Sequence, residues 1–315
     1  MFSRTLPGVA ATAILLLAGT AHAQLFRTYL ASDGNDANPC TLAQPCRLLP
    51  AALAALSSGG EIWMLDSANY NTTTVDVTKS VTILAVPGAL GSVVTNNATA
   101  ISINTAGVRV ALRNLVLTRV AGTSSADGLN VGSAAVGAEV RVEKCLMAGL
   151  GMSGIVMGGN GRLHVTETII RDSSYGIRLL DGSSFISTTQ LIGNTNVGLH
   201  AAPNTAAAVS AYLDNVVASF NGYGVAVYGF GASNKFSRVH VSRSVASLNS
   251  QNGFQTYSDG AVTDSILELS DSVASGNGAY GLFNDAATLR SNGNNRSRGN
   301  GIADLGGAIT VPPSY

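Results

Sequence analysis

A four-residue phrase recurs from residue 128 to near the end of the chain: a glycine, a large apolar residue, any residue, and in most copies a second apolar one. It reads Gly128-Leu129-Asn130-Val131, Gly154-Ile155-Val156-Met157, Gly176-Ile177-Arg178-Leu179, Gly198-Leu199-His200-Ala201, Gly224-Val225-Ala226-Val227, Gly253-Phe254-Gln255-Thr256, Gly281-Leu282-Phe283-Asn284 and Gly301-Ile302-Ala303-Asp304. Successive glycines lie 26, 22, 22, 26, 29, 28 and 20 residues apart, a basal period near 22 with insertions in some copies. A self-similar period of this size built from strand-like units means a solenoid.

A second register keeps step with the first. Upstream of most glycines runs an alternating segment such as Val140-Arg141-Val142, Leu163-His164-Val165 or Val239-His240-Val241. Each leads to a small or polar residue, a column read as Asn114, Cys145, Thr168, Gln190, Asn215, Ser244 and Ser272. Period-two alternation means strand, and ~22 residues at ~3.3 Å each suffice for three short strands and three turns. Leucine-rich repeats need a Leu-x-x-Leu-x-Leu spacing that is missing, and propeller blades need about twice the length. The expectation is therefore an all-β parallel β-helix of about 9–10 coils. Stacking puts the residue after each glycine into an inward aliphatic ladder. The glycines supply either a positive φ or a close backbone approach. Asp172, Asn194, Asn249 and Asn277, four residues before their glycines, and Asn221, three before, are expected to form a polar ladder through one turn.

Only 11% of residues are charged, with 18 basic against 18 acidic, so no basic field exists for nucleic acid or an anionic membrane. Residues 1–23 have the form of a signal peptide: Arg4, an apolar run from Val9 to Ala18, and Ala21-His22-Ala23 as a cleavage pattern. The run is too short to span a bilayer. Export to the periplasm or medium is expected, without a transmembrane anchor; oligomeric state is left open. Cys40 and Cys46, each preceded by proline, suit a small disulfide loop in an oxidising compartment. Cys145, inside the polar column, reads as an inert buried thiol. No metal-ligand spacing or cofactor motif is present, so neither metal nor cofactor is expected; Asp33-Gly34-Asn35-Asp36 reads as a turn and not as a calcium loop.

The segment Arg27-Thr28-Tyr29-Leu30-Ala31-Ser32-Asp33-Gly34-Asn35-Asp36, the Asn38-Pro39-Cys40 and Pro45-Cys46-Arg47 triplets, Pro50 to Leu56, Gly59-Gly60-Glu61-Ile62, and Lys79 to Ile83 with Pro87-Gly88 together resemble the entry of secreted bacterial right-handed β-helix proteins of the pectin lyase-like superfamily. The resemblance implies a right-handed coil over 60–315, preceded by an entry segment over 24–59. In that entry, Leu48 to Leu56 forms a short alanine-rich helix that plugs the first coil and shields its edge. The superfamily's hydrolase elements, Asn-Thr-Asp, Asp-Asp, Gly-His-Gly and Arg-Ile-Lys, are all missing, and the acidic residues are not gathered as in its calcium-dependent lyases.

What remains for function is the outward row two residues after each glycine, where Arg178 and His200 fall one rung apart and Gln255 follows. Two residues further on come Tyr228, Tyr257 and Asp285. Insertions at 203–207, 229–235 and 258–263 flank this row. Arg178, His200, Tyr228, Gln255, Tyr257 and Asp285 are thus the candidate ligand-binding residues. The expected activity is binding of an extracellular polymer such as a polysaccharide. One alternative is a lyase or hydrolase acting on acidic glycans, with His200 or Tyr228 as base and Arg178 neutralising the uronate; another is a structural or adhesive surface protein.

Overall fold

The computed structural model describes residues 24–123, 126–203, 208–229, 236–259 and 265–311. The expected leader lies outside the described residues, as do most residues of the three expected insertions. The chain coils as an all-β parallel solenoid of about eight regular turns. End strands as short as Ala68–Asn69, Val75–Asp76 and Ile309–Thr310 flank these turns. Each turn contributes one strand to each of three sheets, which hold 12, 10 and 10 strands. The first sheet runs from Leu25–Leu30 to Ile309–Thr310, the second from Ala68–Asn69 to Arg296–Arg298, and the third from Val75–Asp76 to Ala303–Gly306.

The glycine phrase lies in the third sheet. Leu129, Ile155, Ile177, Leu199, Val225, Phe254 and Leu282 stand opposite one another in successive strands and are at most 3% exposed. Each contributes roughly 1.5–3 kcal/mol by leaving water. The final copy departs from the series: Leu282 pairs with Leu305, and Ile302 is 65% exposed. Gly301 aligns with Gly278 and not with Gly281, its N–H donating to Asn277 O as that of Gly278 does to Asn249 O, so Leu305 takes the ladder position in place of Ile302.

Of the two roles open to the phrase glycines, close approach is the one used. Gly198 has no left-handed φ, but a Cβ there would sit 2.6 Å from the carbonyl oxygen of Gly224 on the next coil. Left-handed turns fall elsewhere, one set of them on a corner occupied by Asn114, Lys144, Glu167, Thr188, Asn215, Arg243 and Asp271, with φ between 48° and 54°. All seven are exposed. This corrects the polar column by one residue in three coils: Asn114 and Asn215 form the corner itself, and Thr189, not Gln190, is the buried member beside Thr168. Ser244 and Ser272 link the column, the backbone N–H of Val216 donating to Ser244 Oγ at 3.0 Å and that of Ser244 to Ser272 Oγ at 3.2 Å. Cys145 sits in it as expected, its thiol pushed up to about 12 by burial.

The asparagine ladder forms between the second and third sheets with one change of membership. The N–H groups of Ser173, Asn194, Asn221, Asn249 and Asn277 donate in turn to the side-chain oxygens of Asn194, Asn221, Asn249, Asn277 and Asn300. Asp172 is not a rung: it is exposed, adopts a left-handed turn and pairs with Arg171. The rung of that coil is Ser173, one residue on, whose Oγ accepts from the N–H of Leu150 at 3.2 Å.

Near the N-terminus Cys40 and Cys46 form a disulfide. The helix Leu49–Ala55 buries Leu49, Ala52 and Leu53. Its end carbonyls are satisfied from other coils: Thr28 Oγ1 donates to Ala52 O, and Lys79 Nζ donates to Leu53 O and Leu56 O at 3.0 and 2.8 Å.

Candidate functional site

Two outward faces carry chemistry. On the first sheet, Arg141, His164, Phe185, Tyr212, His240, Glu268 and Arg290 form one column, each opposite the next. Coil stacking spaces them by roughly 4.8 Å, the strand separation of a sheet. Tyr212 and His240 stack with centroids 4.9 Å apart and planes 10° from parallel. His240 Nδ1 lies 2.8 Å from Glu268 Oε2, and Arg290 Nη1 lies 2.5 Å from Glu268 Oε1. Beside them Asp214 accepts from Ser242 Oγ at 2.8 Å and pairs with Arg243. Phe185, Tyr212, Asp214, His240, Arg243 and Glu268 line a groove of about 380 Å³. Phe185 is 41% and Tyr212 54% exposed, so two large apolar faces are open to solvent beside charges already compensated by one another. Towards the N-terminal end the same face becomes basic, with Arg109, Arg113, Arg141 and Arg162 around Glu139 and Glu143.

The residues chosen from the sequence lie on the third sheet, and the register places them as expected: Arg178 opposite His200, Tyr228 opposite Tyr257, and Tyr257 opposite Asp285. Arg178, His200, Tyr228 and Tyr257 come together. His200 stacks on Tyr175 at 5.6 Å and meets Tyr228 edge-on at 4.9 Å; Tyr228 meets Tyr257 at 5.3 Å; the Arg178 guanidinium lies 5.0 Å over the Tyr175 ring. Gln255 is 7% exposed and is taken up by Asn252, which donates to its side-chain oxygen at 2.7 Å. Asp285 is exposed at the margin. Burial, with the Arg178 charge adding to it, holds His200 down to about 4, and burial raises Tyr228 above the ordinary phenol range. A buried tyrosine with a raised pKa is poorly placed to act as a base, and neither ring nitrogen of His200 is open to solvent.

With fold and faces described, comparison with known proteins decides the family. The model of the right handed beta helix region matches residues 99–267, more than half of the chain. The chain belongs to this family. Among solved structures, the right-handed β-helix is similar to the pectate lyase Pel9A, with a TM-score of 0.59 and 14% identity over 89% of this chain and 80% of that one. A rhamnogalacturonan lyase matches with a TM-score of 0.55 and 12% identity over 90% and 84% of the two chains. The A-module of mannuronan C-5 epimerase AlgE6 from Azotobacter vinelandii matches with 0.50 and 15% over 82% and 73%. These likenesses show the fold alone, a right-handed parallel β-helix. No curated protein matches it by sequence.

The sequence reading of this β-helix chain passed over the first-sheet column. His164 and His240 enter that reading only as members of the alternating segments. A signal existed: His164, Tyr212 and His240 occupy the middle of the alternating segments that defined the second register. On the third sheet a recurrent Tyr-Gly pair, at Tyr175, Tyr223 and Tyr280, marks a further outward column whose first member packs against Arg178 and His200. Among the described residues no helix is long and apolar enough to cross a membrane, and no cluster of three metal-ligating side chains occurs.

Proposed function

We propose that the protein is an exported β-helix, its N-terminal helix closing the first coil, that binds an extended polysaccharide lengthwise along the outer face of the first sheet. The observation that carries this reading is the open Phe185 ring in register with the stacked Tyr212–His240 pair, set in a groove between compensated charges. Sugar rings present apolar faces to aromatic rings and hydroxyls to flanking Asp, Glu, Arg and Asn groups. One side chain per coil at roughly 4.8 Å offers a repeating polymer repeating contacts. The three structural relatives bear the names of enzymes for pectate, rhamnogalacturonan and mannuronan, which supports a polymer of this class. Affinity electrophoresis through gels containing a polygalacturonate, an alginate or a neutral glucan tests it. Retardation in at least one gel that is lost in Tyr212→Ala is the expected result; no retardation in any gel refutes it and leaves the structural or adhesive role.

One contact favours turnover as a second reading. Glu268 takes the Nδ1 side of His240, which leaves Nε2 as the nitrogen able to accept a proton in the neutral ring. Growth of unsaturated-uronate absorbance with the wild type, lost in His240→Gln, would establish a lyase; retardation without product would establish binding alone.

A further inference from the structure

The third-sheet cluster contains an anomaly that its packing leaves unresolved. Seven buried side-chain nitrogen or oxygen atoms have no hydrogen-bond partner among the described residues, and three of them are here: Arg178 Nε and both ring nitrogens of His200. Buried polar groups are ordinarily satisfied, so three adjacent orphans call for a missing partner. Arg178 takes part in none of the ion pairs among the described residues, and its guanidinium lies over the Tyr175 ring. An uncompensated cation at the edge of the core attracts an anion, and the planar guanidinium fork suits a planar or tetrahedral oxyanion. His200, neutral in these surroundings, offers one donor and one acceptor, a pair that a hydroxyl group satisfies at once. From the same row Tyr228 and Tyr257 extend an aromatic surface over two further coils.

We propose that Arg178 and His200, with Tyr175, Tyr228 and Tyr257, form a second binding site, on a face separate from the first-sheet groove, for an anionic sugar unit bearing a carboxylate or sulfate next to a hydroxyl. Arg178 takes the oxyanion through Nε and one terminal nitrogen. His200 takes the hydroxyl, and the sugar face lies against the tyrosines. The ligand reaches these atoms by rotation of the half-buried Tyr175 or Tyr228 ring. The site does not depend on the first-sheet reading.

The test is an NMR titration of the folded protein with three probes: tetragalacturonate, a sulfated galactose tetrasaccharide and a neutral galactose tetrasaccharide. The His200 ring signal is identified by its loss in His200→Asn. The expected result is saturable movement of the His200 ring and Arg178 Nε–H signals with at least one anionic probe, whichever responds naming the anion, and none with the neutral one. Arg178→Gln should weaken that binding at least ~10-fold and Arg178→Lys by less, since lysine keeps the charge and loses the fork. Tyr212→Ala should leave the titration unchanged even if it abolishes retention by polymer gels. No response to either anion, an equal response to the neutral sugar, or undiminished affinity in a folded Arg178→Gln overturns the proposal. A slowly exchanging water detected at the His200 ring, without ligand response, overturns it too, the orphans then being satisfied by water.

Discussion

Replacing Asn221 by alanine tests whether the asparagine ladder is a structural element or a by-product of turn composition. Asn221 is 2% exposed. Its Oδ1 accepts from the backbone N–H and the side-chain amide of Asn194, both at 2.9 Å, and its Nδ2 donates to Leu191 O at 2.9 Å and to Asn249 Oδ1 at 3.2 Å. Asn249 Oδ1 keeps the N–H of residue 221 in the variant, because that bond is made by the backbone. Asn194 loses the partner of two donors, and Asn194 is itself fully buried. At about 1–3 kcal/mol for each buried group left unsatisfied, the expected cost is about 2–6 kcal/mol. At ~2 °C per kcal/mol for a chain of this size, the melting midpoint should fall by about 4–12 °C. In a solenoid each coil contacts only its neighbours, so the damage should also be local. Hydrogen exchange at the Asn194 and Asn221 amides should quicken more than at Ile83, several coils away.

Thermal denaturation followed by circular dichroism, with exchange read by mass spectrometry, measures both effects. Asn196→Ala is the control, since Asn196 is exposed and makes a single side-chain bond, to Ser174 Oγ. A shift in Asn221→Ala no larger than in the control, or exchange that quickens evenly over all coils, would refute the reasoning.

Three other substitutions address separate parts of the argument. Gly198→Ala drives a Cβ to 2.6 Å from Gly224 O and should cost several degrees of melting midpoint, although the φ of Gly198 is an ordinary one; a neutral outcome would show that adjacent coils separate freely. Leu199→Ala, in the fully buried ladder, should cost about 2–5 kcal/mol in a chemical denaturation titration. His200 carries a pKa lowered to about 4 against 6.5 in the unfolded chain, so between those values the unfolded state binds the extra proton. Its contribution is intact above pH 6.5 and is lost as pH falls towards 4, by at most about 3 kcal/mol. The stability difference between wild type and His200→Phe should therefore shift by that order between pH 7 and pH 4, and a pH-independent difference would contradict the burial of the ring.

The solenoid was readable from the sequence because burial and backbone approach both act at every turn. Leu199 and Ile177 are apolar for the same reason in each coil, and a glycine must precede each of them, so the two signals add along the chain. Corners were harder to place. The left-handed corner accepts Asn114, Lys144, Glu167 and Arg243 alike, because all four point into solvent and share only a backbone angle. The sequence column was therefore anchored on its visible asparagines and slipped by one. Asp172 was misassigned for a related reason: it occupies the left-handed corner beside the ladder, and the rung of its coil is Ser173, one residue on. At the C-terminal end the phrase Gly301-Ile302 carried the right residues out of register, since Leu305 and not Ile302 stands opposite Leu282, and Ile302 was left exposed.

Function was less readable because outward positions owe nothing to the coil. Each is free to vary, and a set of chemically active side chains becomes visible only when register lines them up. The third-sheet row could be assembled in advance because the glycine phrase numbers it directly. The first-sheet column required knowing that Phe185 and Tyr212, 27 residues apart in sequence, are neighbours across one rung. The two faces also use their polar groups differently. On the first sheet Glu268 pairs with Arg290 and Asp214 with Arg243, so charge is balanced before anything binds and the open aromatic faces set the affinity. On the third, Arg178 Nε and both ring nitrogens of His200 are buried without a hydrogen-bond partner among the described residues, so an anion there would gain the hydrogen bonds the protein does not make for itself. If both faces bind, substitutions at Tyr212 and at Arg178 should act additively on retention by an acidic polymer, because their side chains belong to different sheets and share no contact. A coupling larger than about 0.5 kcal/mol between them would mean that one ligand spans both.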